Sequence, residues 1–180
     1  MNFEYVDVSE EQISKAIKIR KSRDERYGNI YREVESDMRW VGDLGEICFN
    51  KWLKGKGLTG FEWHLDNAAG KPDFTVNGIR IDVKTVKRKV PPKMNYTAQI
   101  TARHKDAPVD ELFFFSYEFK AKRLWLLGGI KKKDFLNKAD YFKAGDQVHS
   151  NYVIREGHDI YNAPIEVLVK PDDWLNDTII

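Results

Sequence analysis

KPDFTVNGIRIDVKT, the stretch from Lys71 to Thr85, decides how this chain folds. Apolar and polar residues alternate on both sides of its Asn-Gly pair, which is typical of a type I′ turn because both central positions of that turn need positive φ. We therefore predict a β-hairpin with Asn77 and Gly78 in the turn. This turn fixes the register, which pairs Val76 with Ile79, Thr75 with Arg80, Phe74 with Ile81, and Asp73 with Asp82.

The two faces of the predicted hairpin differ in polarity, because side chains alternate between faces along a strand. The apolar face, which we expect to be buried, carries Phe74, Val76, Ile79, Ile81 and Val83. The polar face carries Asp73, Thr75, Arg80, Asp82 and Lys84.

Asp73 and Asp82, which oppose each other in this register, are the functional candidates. Like charges directly opposite destabilise a sheet, so the pair requires compensation. Lys84 supplies one positive charge, and a divalent cation would supply more. Carboxylate ligands with no neighbouring His or Cys suit Mg²⁺, with Mn²⁺ as a substitute. A register shift of one residue would move Asp73 to the other face and leave an ordinary surface hairpin as the alternative.

Length and composition predict one domain over residues 1–180. The chain has 180 residues, of which 42% are hydrophobic, and this suffices for one well-packed core. Ser9 and Gln12 have the spacing of a capping box, and apolar residues at helical spacing follow them. The pattern predicts an N-terminal helical segment over about 9–27.

A second, amphipathic helix is predicted in DMRWVGDLGEICFNKWLKGKG, residues 37–57. Gly42 and Gly45 lie inside it although glycine costs about 1 kcal/mol relative to alanine there. We therefore expect another backbone or a ligand to approach both glycines closely. Downstream, ELFFFSYEF and RLWLLGGI predict a central buried pair of strands and PIEVLV predicts the last strand, so the fold is expected to be α/β or α+β.

The sequence also limits the compartment and the functional class. Cys48 is the only cysteine, so no intrachain disulfide forms, and a reducing, cytoplasmic compartment fits best. The N-terminus MNFEYVDVSEEQ does not resemble a signal peptide, and no apolar run is long enough for a membrane span, so we expect no membrane partner. No GxxxxGK phosphate loop occurs, so we expect no ATP site in this chain.

Basic residues cluster directly after the hairpin, although the formal net charge is only +2. Lys87, Arg88, Lys89 and Lys93 follow Lys84 within KTVKRKVPPK. This distribution suits a phosphate backbone that runs past the hairpin, whereas the alternative is a solvated basic loop.

Two further basic segments are candidates for phosphate contact. Arg103 and Lys105 flank His104 in TARHKD, where the alternative that we favour is a solvated loop. The lysine run at 131–133 is either a second backbone contact or the polar start of a helix.

The ordered set of Pro72-Asp73, the turn, and Asp82-Val83-Lys84 resembles the signature of the PD-(D/E)xK nuclease superfamily. The resemblance covers roughly Trp40 to Ile130. It includes GDLGEICFNKWL, which is similar to the first core helix of that family, whose glutamate often completes the metal site; here it is Glu46. The resemblance implies a restriction-endonuclease-like fold, a mixed central β-sheet flanked by helices. The chain departs from the family in having Asp82 where Glu is commoner, and no obvious helix after the lysine strand.

The resemblance implies a Mg²⁺-dependent DNA endonuclease with Asp73, Asp82, Lys84 and Glu46 as catalytic residues. The three carboxylates would bind one or two Mg²⁺ ions. Lys84 would orient or help to deprotonate the attacking water, or stabilise the charge that develops on phosphorus. Gln99 occupies the place of an auxiliary glutamine of some members, although an ordinary polar strand position is the favoured interpretation.

The resemblance leaves partners and setting open. The preference for DNA over RNA rests only on this resemblance. The resemblance also allows a homodimer, because many such nucleases dimerise to cut both strands. A compact nuclease of this kind would suit a phage or a mobile element. The alternatives are an RNA-processing nuclease, or a non-catalytic nucleic-acid-binding or assembly module that retains the fold.

Overall fold

The structure, a computed structural model, describes residues 3–29 and 38–179. In these ranges the chain is α+β, with helices and strands intermixed along the sequence. The helices are α1 (Glu10–Tyr27), α2 (Trp40–Gly55), α3 (Lys132–Lys138) and α4 (Pro171–Trp174). The strands are β1 (Glu4–Asp7), β2 (Glu62–Trp63), β3 (Phe74–Val76), β4 (Ile79–Arg88), β5 (Thr97–Thr101), β6 (Glu111–Glu118), β7 (Arg123–Lys131), β8 (Asp140–Phe142), β9 (Gln147–His149), β10 (Tyr152–Val153) and β11 (Ile160–Pro164).

The main sheet has six strands in the order β1-β7-β6-β4-β3-β2. It is mixed, because β4 runs parallel to β6 while the other neighbouring pairs are antiparallel. A smaller sheet has the order β5-β11-β8, and β9 pairs with β10. Across residues 89–110 the crossover between the parallel strands contains β5 and a 3₁₀ turn, and no α-helix.

Two hydrophobic cores cover the two faces of the main sheet. On one face, Phe74, Ile81 and Val83 pack with residues of α1, α2 and α4. On the other face, Leu112 and Phe114 of β6 pack with the small sheet and α3. Side chains alternate along β4, so Asp82 and Lys84 point to the side of the small sheet, away from α2.

The predicted hairpin register is confirmed over its three inner pairs, which are Val76–Ile79, Thr75–Arg80 and Phe74–Ile81. Asn77 and Gly78 have φ of 48° and 81°, as a type I′ turn requires. The apolar face is buried except for Ile79, which is half-buried. The ladder ends at Phe74–Ile81, so Asp73 lies just beyond the last paired residue of β3.

Other predictions from the sequence have mixed outcomes. The N-terminal helix is confirmed as α1, capped by Ser9 and Gln12, the second helix as α2, and the buried strands as β6 and β7. The strand predicted in PIEVLV is wrong: β11 ends at Pro164, and a 3₁₀ turn follows over Ile165–Val167. No helix among the described residues is long and apolar enough to cross a bilayer.

The two glycines of α2 differ in their surroundings. A Cβ built on Gly45 would lie 1.9 Å from Thr85 Oγ1 and 3.6 Å from Val83 Cγ1, so the position is close-packed, but side chains of β4 lie there and not the backbone or ligand that we expected. A Cβ built on Gly42 would meet nothing within 4 Å, so the expectation is wrong for Gly42. Gly45 therefore sets how closely α2 packs on β4, the strand that carries Asp82 and Lys84.

Gly45→Ala is expected to destabilise the protein by about 1–3 kcal/mol, because the new methyl group must push α2 away from β4. Gly42→Ala is the matched control in the same helix, and we expect it to stabilise by up to about 1 kcal/mol because alanine is the better helix former. Urea unfolding of both variants measures the difference. Equal effects of the two substitutions would contradict the close contact at Gly45.

Candidate metal centre

Asp73 is held at the end of β3 by hydrogen bonds to β4. Its backbone N–H donates to the Ile81 carbonyl at 2.9 Å, and its Oδ2 accepts the Val83 N–H at 2.8 Å. The carboxylate thus takes the place that a backbone carbonyl would have if β3 continued. It binds β4 at the residue between Asp82 and Lys84, so the hairpin brings all three side chains together.

Asp82 and Lys84 form an ion pair on the same face of β4. Lys84 Nζ lies 2.7 Å from Asp82 Oδ2, and the Lys84 and Asp82 side chains are 20% and 7% exposed. Because they are two residues apart on one strand, the extended backbone is sufficient to point them the same way.

Negative charges crowd around Asp73. Its pKa is raised well above the usual range of an aspartate, chiefly by burial and then by the charges of Glu46 and Asp82. Lys84 and the Val83 N–H act in the opposite direction but do not cancel the effect. A site in which carboxylates repel one another gains from a bound cation.

His104 is a member of this site that the sequence analysis missed. The residue ends a 3₁₀ turn (Ala102–His104) after β5, and its Nδ1 lies 3.2 Å from Lys84 Nζ. The favoured interpretation as a solvated loop residue is wrong, because the ring is half-buried against β4. Lysine has only donors, so Nδ1 accepts and the ring is the neutral Nε2–H tautomer. Lys84 Nζ is therefore held between Asp82 and His104.

We expect His104 to titrate at about pH 4, below its ordinary value of 6.5, because burial and then the charge of Lys84 lower its pKa. A lowered histidine pKa contributes stability that is complete above 6.5 and is lost as the pH falls toward 4. NMR titration of the ring measures the pKa, and a His104→Asn variant assigns the signal. A midpoint at or above 6.5 would contradict the buried contact with Lys84.

Glu46 is bound elsewhere by a pair of hydrogen bonds. Arg23 of α1 donates to both of its carboxylate oxygens, at 2.6 Å to Oε1 and 2.9 Å to Oε2. Trp63 Nε1 also donates to Oε2 at 3.1 Å. The side chain is close enough to raise the pKa of Asp73, but its oxygens face Arg23 and Trp63.

Arg23 also joins Glu46 to Asp43, one turn earlier in α2. Arg23 Nη1 donates to Asp43 Oδ1 at 2.9 Å, and Arg20 Nε donates to Oδ2 at 2.7 Å. Burial raises the pKa of Asp43 to about 6 and outweighs the two arginines. The sequence analysis missed Asp43, and nothing in the sequence indicated that α1 supplies the arginines.

The predicted nucleic-acid-binding residues differ in exposure. Arg88 is half-buried, and its guanidinium stacks on Tyr96 and donates to the Thr97 carbonyl at 2.7 Å, so it fastens β4 to the next segment. These contacts do not fit the alternative of a solvated basic loop for Arg88, and its assignment to nucleic-acid binding stays a prediction. The side chains of Lys87, Lys89, Lys93, Arg103 and Lys105 are exposed.

Gln99 lies on β5, in the small sheet. Its Nε2 donates to the Tyr152 hydroxyl at 3.4 Å, and its strand partner is Asn162 of β11. The alternating burial of β5 agrees with the favoured interpretation of Gln99 as a polar strand residue.

Asp73 and Asp82 fit a hard divalent ion by the chemistry of their donors, while Glu46 in its observed position does not. Across residues 3–29 and 38–179, no three His, Cys, Asp or Glu side chains form a group with metal-binding geometry. Glu46 joins the two aspartates only if its carboxylate turns away from Arg23.

Comparison of the chain with protein-family models, with curated proteins and with solved structures finds no match. Function is therefore inferred from the side chains described above.

Proposed function

We propose that this chain is a metal-dependent DNA endonuclease of the PD-(D/E)xK type, which hydrolyses phosphodiester bonds by in-line attack of water. The observation that carries the proposal is the single cluster of Asp73, Asp82 and Lys84, joined by the hydrogen bond from Val83 to Asp73 and the ion pair between Lys84 and Asp82. Two carboxylates and an ammonium group in one cluster suit phosphoryl transfer better than a structural ion pair alone.

Asp73 and Asp82 would hold Mg²⁺, or Mn²⁺ in its place, and Glu46 would be a further ligand after release from Arg23. A bound ion of this kind lowers the pKa of water and neutralises charge on the phosphoryl oxygens. The pKa of Asp73, raised first by burial and then by the charges of Glu46 and Asp82, supports the assignment, because a cation would stabilise the ionised carboxylates.

Lys84 is the group that meets the reacting atoms. Its ammonium donates a hydrogen bond to the attacking water or to a non-bridging phosphoryl oxygen, where negative charge develops in the transition state. Asp82 and His104 hold Nζ in place, at 2.7 Å and 3.2 Å. Such fixed geometry is what makes an electrostatic contribution to catalysis large.

The test is cleavage of plasmid, branched and single-stranded DNA and of RNA, each with Mg²⁺ and with EDTA. We expect cleavage of DNA that requires Mg²⁺. Cleavage that persists in EDTA would overturn the metal centre, and cleavage of RNA alone would favour the RNA-processing alternative. Tight nucleic-acid binding without any cleavage would favour the non-catalytic module.

A further inference from the structure

A groove of about 550 Å³ lies where β7 meets α3. We name it the lysine groove after its four basic side chains, Lys105, Lys131, Lys132 and Lys133. The remaining lining residues are Val109, Asp110, Glu111, Leu136 and Asn137.

The two acids of the lysine groove are engaged by other partners. Both oxygens of Asp110 accept hydrogen bonds from the Arg80 guanidinium, at 2.9 and 2.7 Å. Glu111 is buried, and its Oε2 accepts from Trp174 Nε1 at 2.9 Å. Glu111 and Asp110 also interact electrostatically with Lys131 and Lys132, but the hydrogen bonds of both acids go to partners outside the lysine groove.

Lys132 gives the groove a fixed wall. Its Nζ donates to the carbonyls of Lys105 and Ala107, which ties the 3₁₀ turn after β5 to the start of α3. Lys105, Lys131 and Lys133 are exposed, and none of them forms an ion pair within the described part of the chain. Three ammonium groups thus remain for an anionic ligand.

The lysine groove adjoins the candidate metal centre. Lys105 directly follows His104, which contacts Lys84. Lys131 pairs with Glu111, which pairs with Ile81, the residue before Asp82. Two strand spacings of about 4.8 Å each therefore separate β4 from Lys131.

We propose that the lysine groove binds the phosphodiester backbone of the nucleic-acid strand on one side of the bond that the metal centre cleaves. This inference rests on the proposed function for the nature of the ligand. Lysine side chains contact phosphates, and such contacts position a backbone without selecting a sequence. The track of the substrate thus runs toward α3 rather than along KTVKRKVPPK.

The experiment measures binding of fluorescent single-stranded DNA and RNA oligonucleotides by anisotropy, in EDTA and over a range of NaCl concentrations. We expect Lys131→Ala/Lys133→Ala to weaken binding about tenfold at low salt. The slope of log affinity against log salt is expected to fall by about 1.4, since each lost phosphate contact contributes about 0.7 for a single strand. Equal losses for DNA and RNA would mean that the groove reads only the backbone, as proposed.

Lys87→Ala/Lys89→Ala is the control, because it removes the same charge from the other basic segment, and we expect a smaller change in slope. An unchanged slope in the groove variant, or a larger loss in the control, would overturn the proposal.

Hydrolysis of a small chromogenic phosphodiester with Mg²⁺ tests the metal centre separately. If the small diester is hydrolysed but the groove variant binds normally, the groove assignment alone fails. If the groove variant loses binding but no substrate is hydrolysed, the proposed function fails and the groove stands.

Discussion

Asp82→Asn is expected to lower Mg²⁺-dependent DNA cleavage by about 10³-fold or more. The substitution removes one of the two carboxylate charges assigned to the metal and weakens the partner that holds Lys84 at 2.7 Å. Metal-ion catalysis contributes several kcal/mol of transition-state stabilisation, and each 1.4 kcal/mol is a factor of about ten in rate. Single-turnover cleavage of plasmid DNA at saturating Mg²⁺ measures the loss.

Asp173→Asn is the matched control, because Asp173 is an exposed aspartate of α4. We expect it to retain full activity. An asparagine amide has nearly the shape of the aspartate carboxylate that it replaces, so we expect both variants to fold. Thermal unfolding checks this and separates a loss of activity from a loss of the folded structure. Wild-type cleavage by a folded Asp82→Asn variant would remove Asp82 from the metal centre.

Arg23→Met is expected to destabilise the protein by about 3–5 kcal/mol, the cost of breaking a buried ion pair from one side. The guanidinium of Arg23 is 13% exposed and binds Asp43 and Glu46, which are themselves almost fully buried. Among the residues that the structure describes, its loss leaves Glu46 with the Trp63 indole as the remaining side-chain donor. Urea unfolding measures the free-energy difference.

Arg26→Met, three residues later in α1, is the control. Arg26 pairs with Asp66 at 2.9 Å, but the two side chains are 51% and 83% exposed, so we expect a much smaller loss of stability than for Arg23→Met. Arg23→Met/Glu46→Gln should recover part of the loss, because the second change removes the unpaired charge. A small effect of Arg23→Met with no recovery would contradict the buried network.

The network around Arg23 also bears on the proposed chemistry. Glu46 lies near Asp73, but its carboxylate is hydrogen-bonded to Arg23 of α1. In this structure Glu46 therefore joins α2 to α1. The resemblance assigned Glu46 to the metal on the helix position alone, and that assignment stays a prediction.

Local sequence patterns were sufficient to predict the hairpin and its register. Asn77-Gly78 selects a type I′ turn, and a fixed turn with alternating residues leaves one pairing that buries the apolar face. The α1 boundaries follow in the same way from the Ser9 cap and the helical stripe. Asp82 and Lys84 share a face for the equally local reason that they are two residues apart on a strand.

Contacts between distant segments were decided only by the tertiary structure. His104 reaches Lys84 because the crossover between parallel β4 and β6 folds back through the small sheet, and Arg23 reaches Glu46 because α1 packs on α2. Arg88 turns inward onto Tyr96 for a similar reason. Sequence alone determined which charges share a strand, since backbone geometry fixes that over a few residues. The packing of segments far apart in the chain determined which partners those charges meet, because it depends on the whole core.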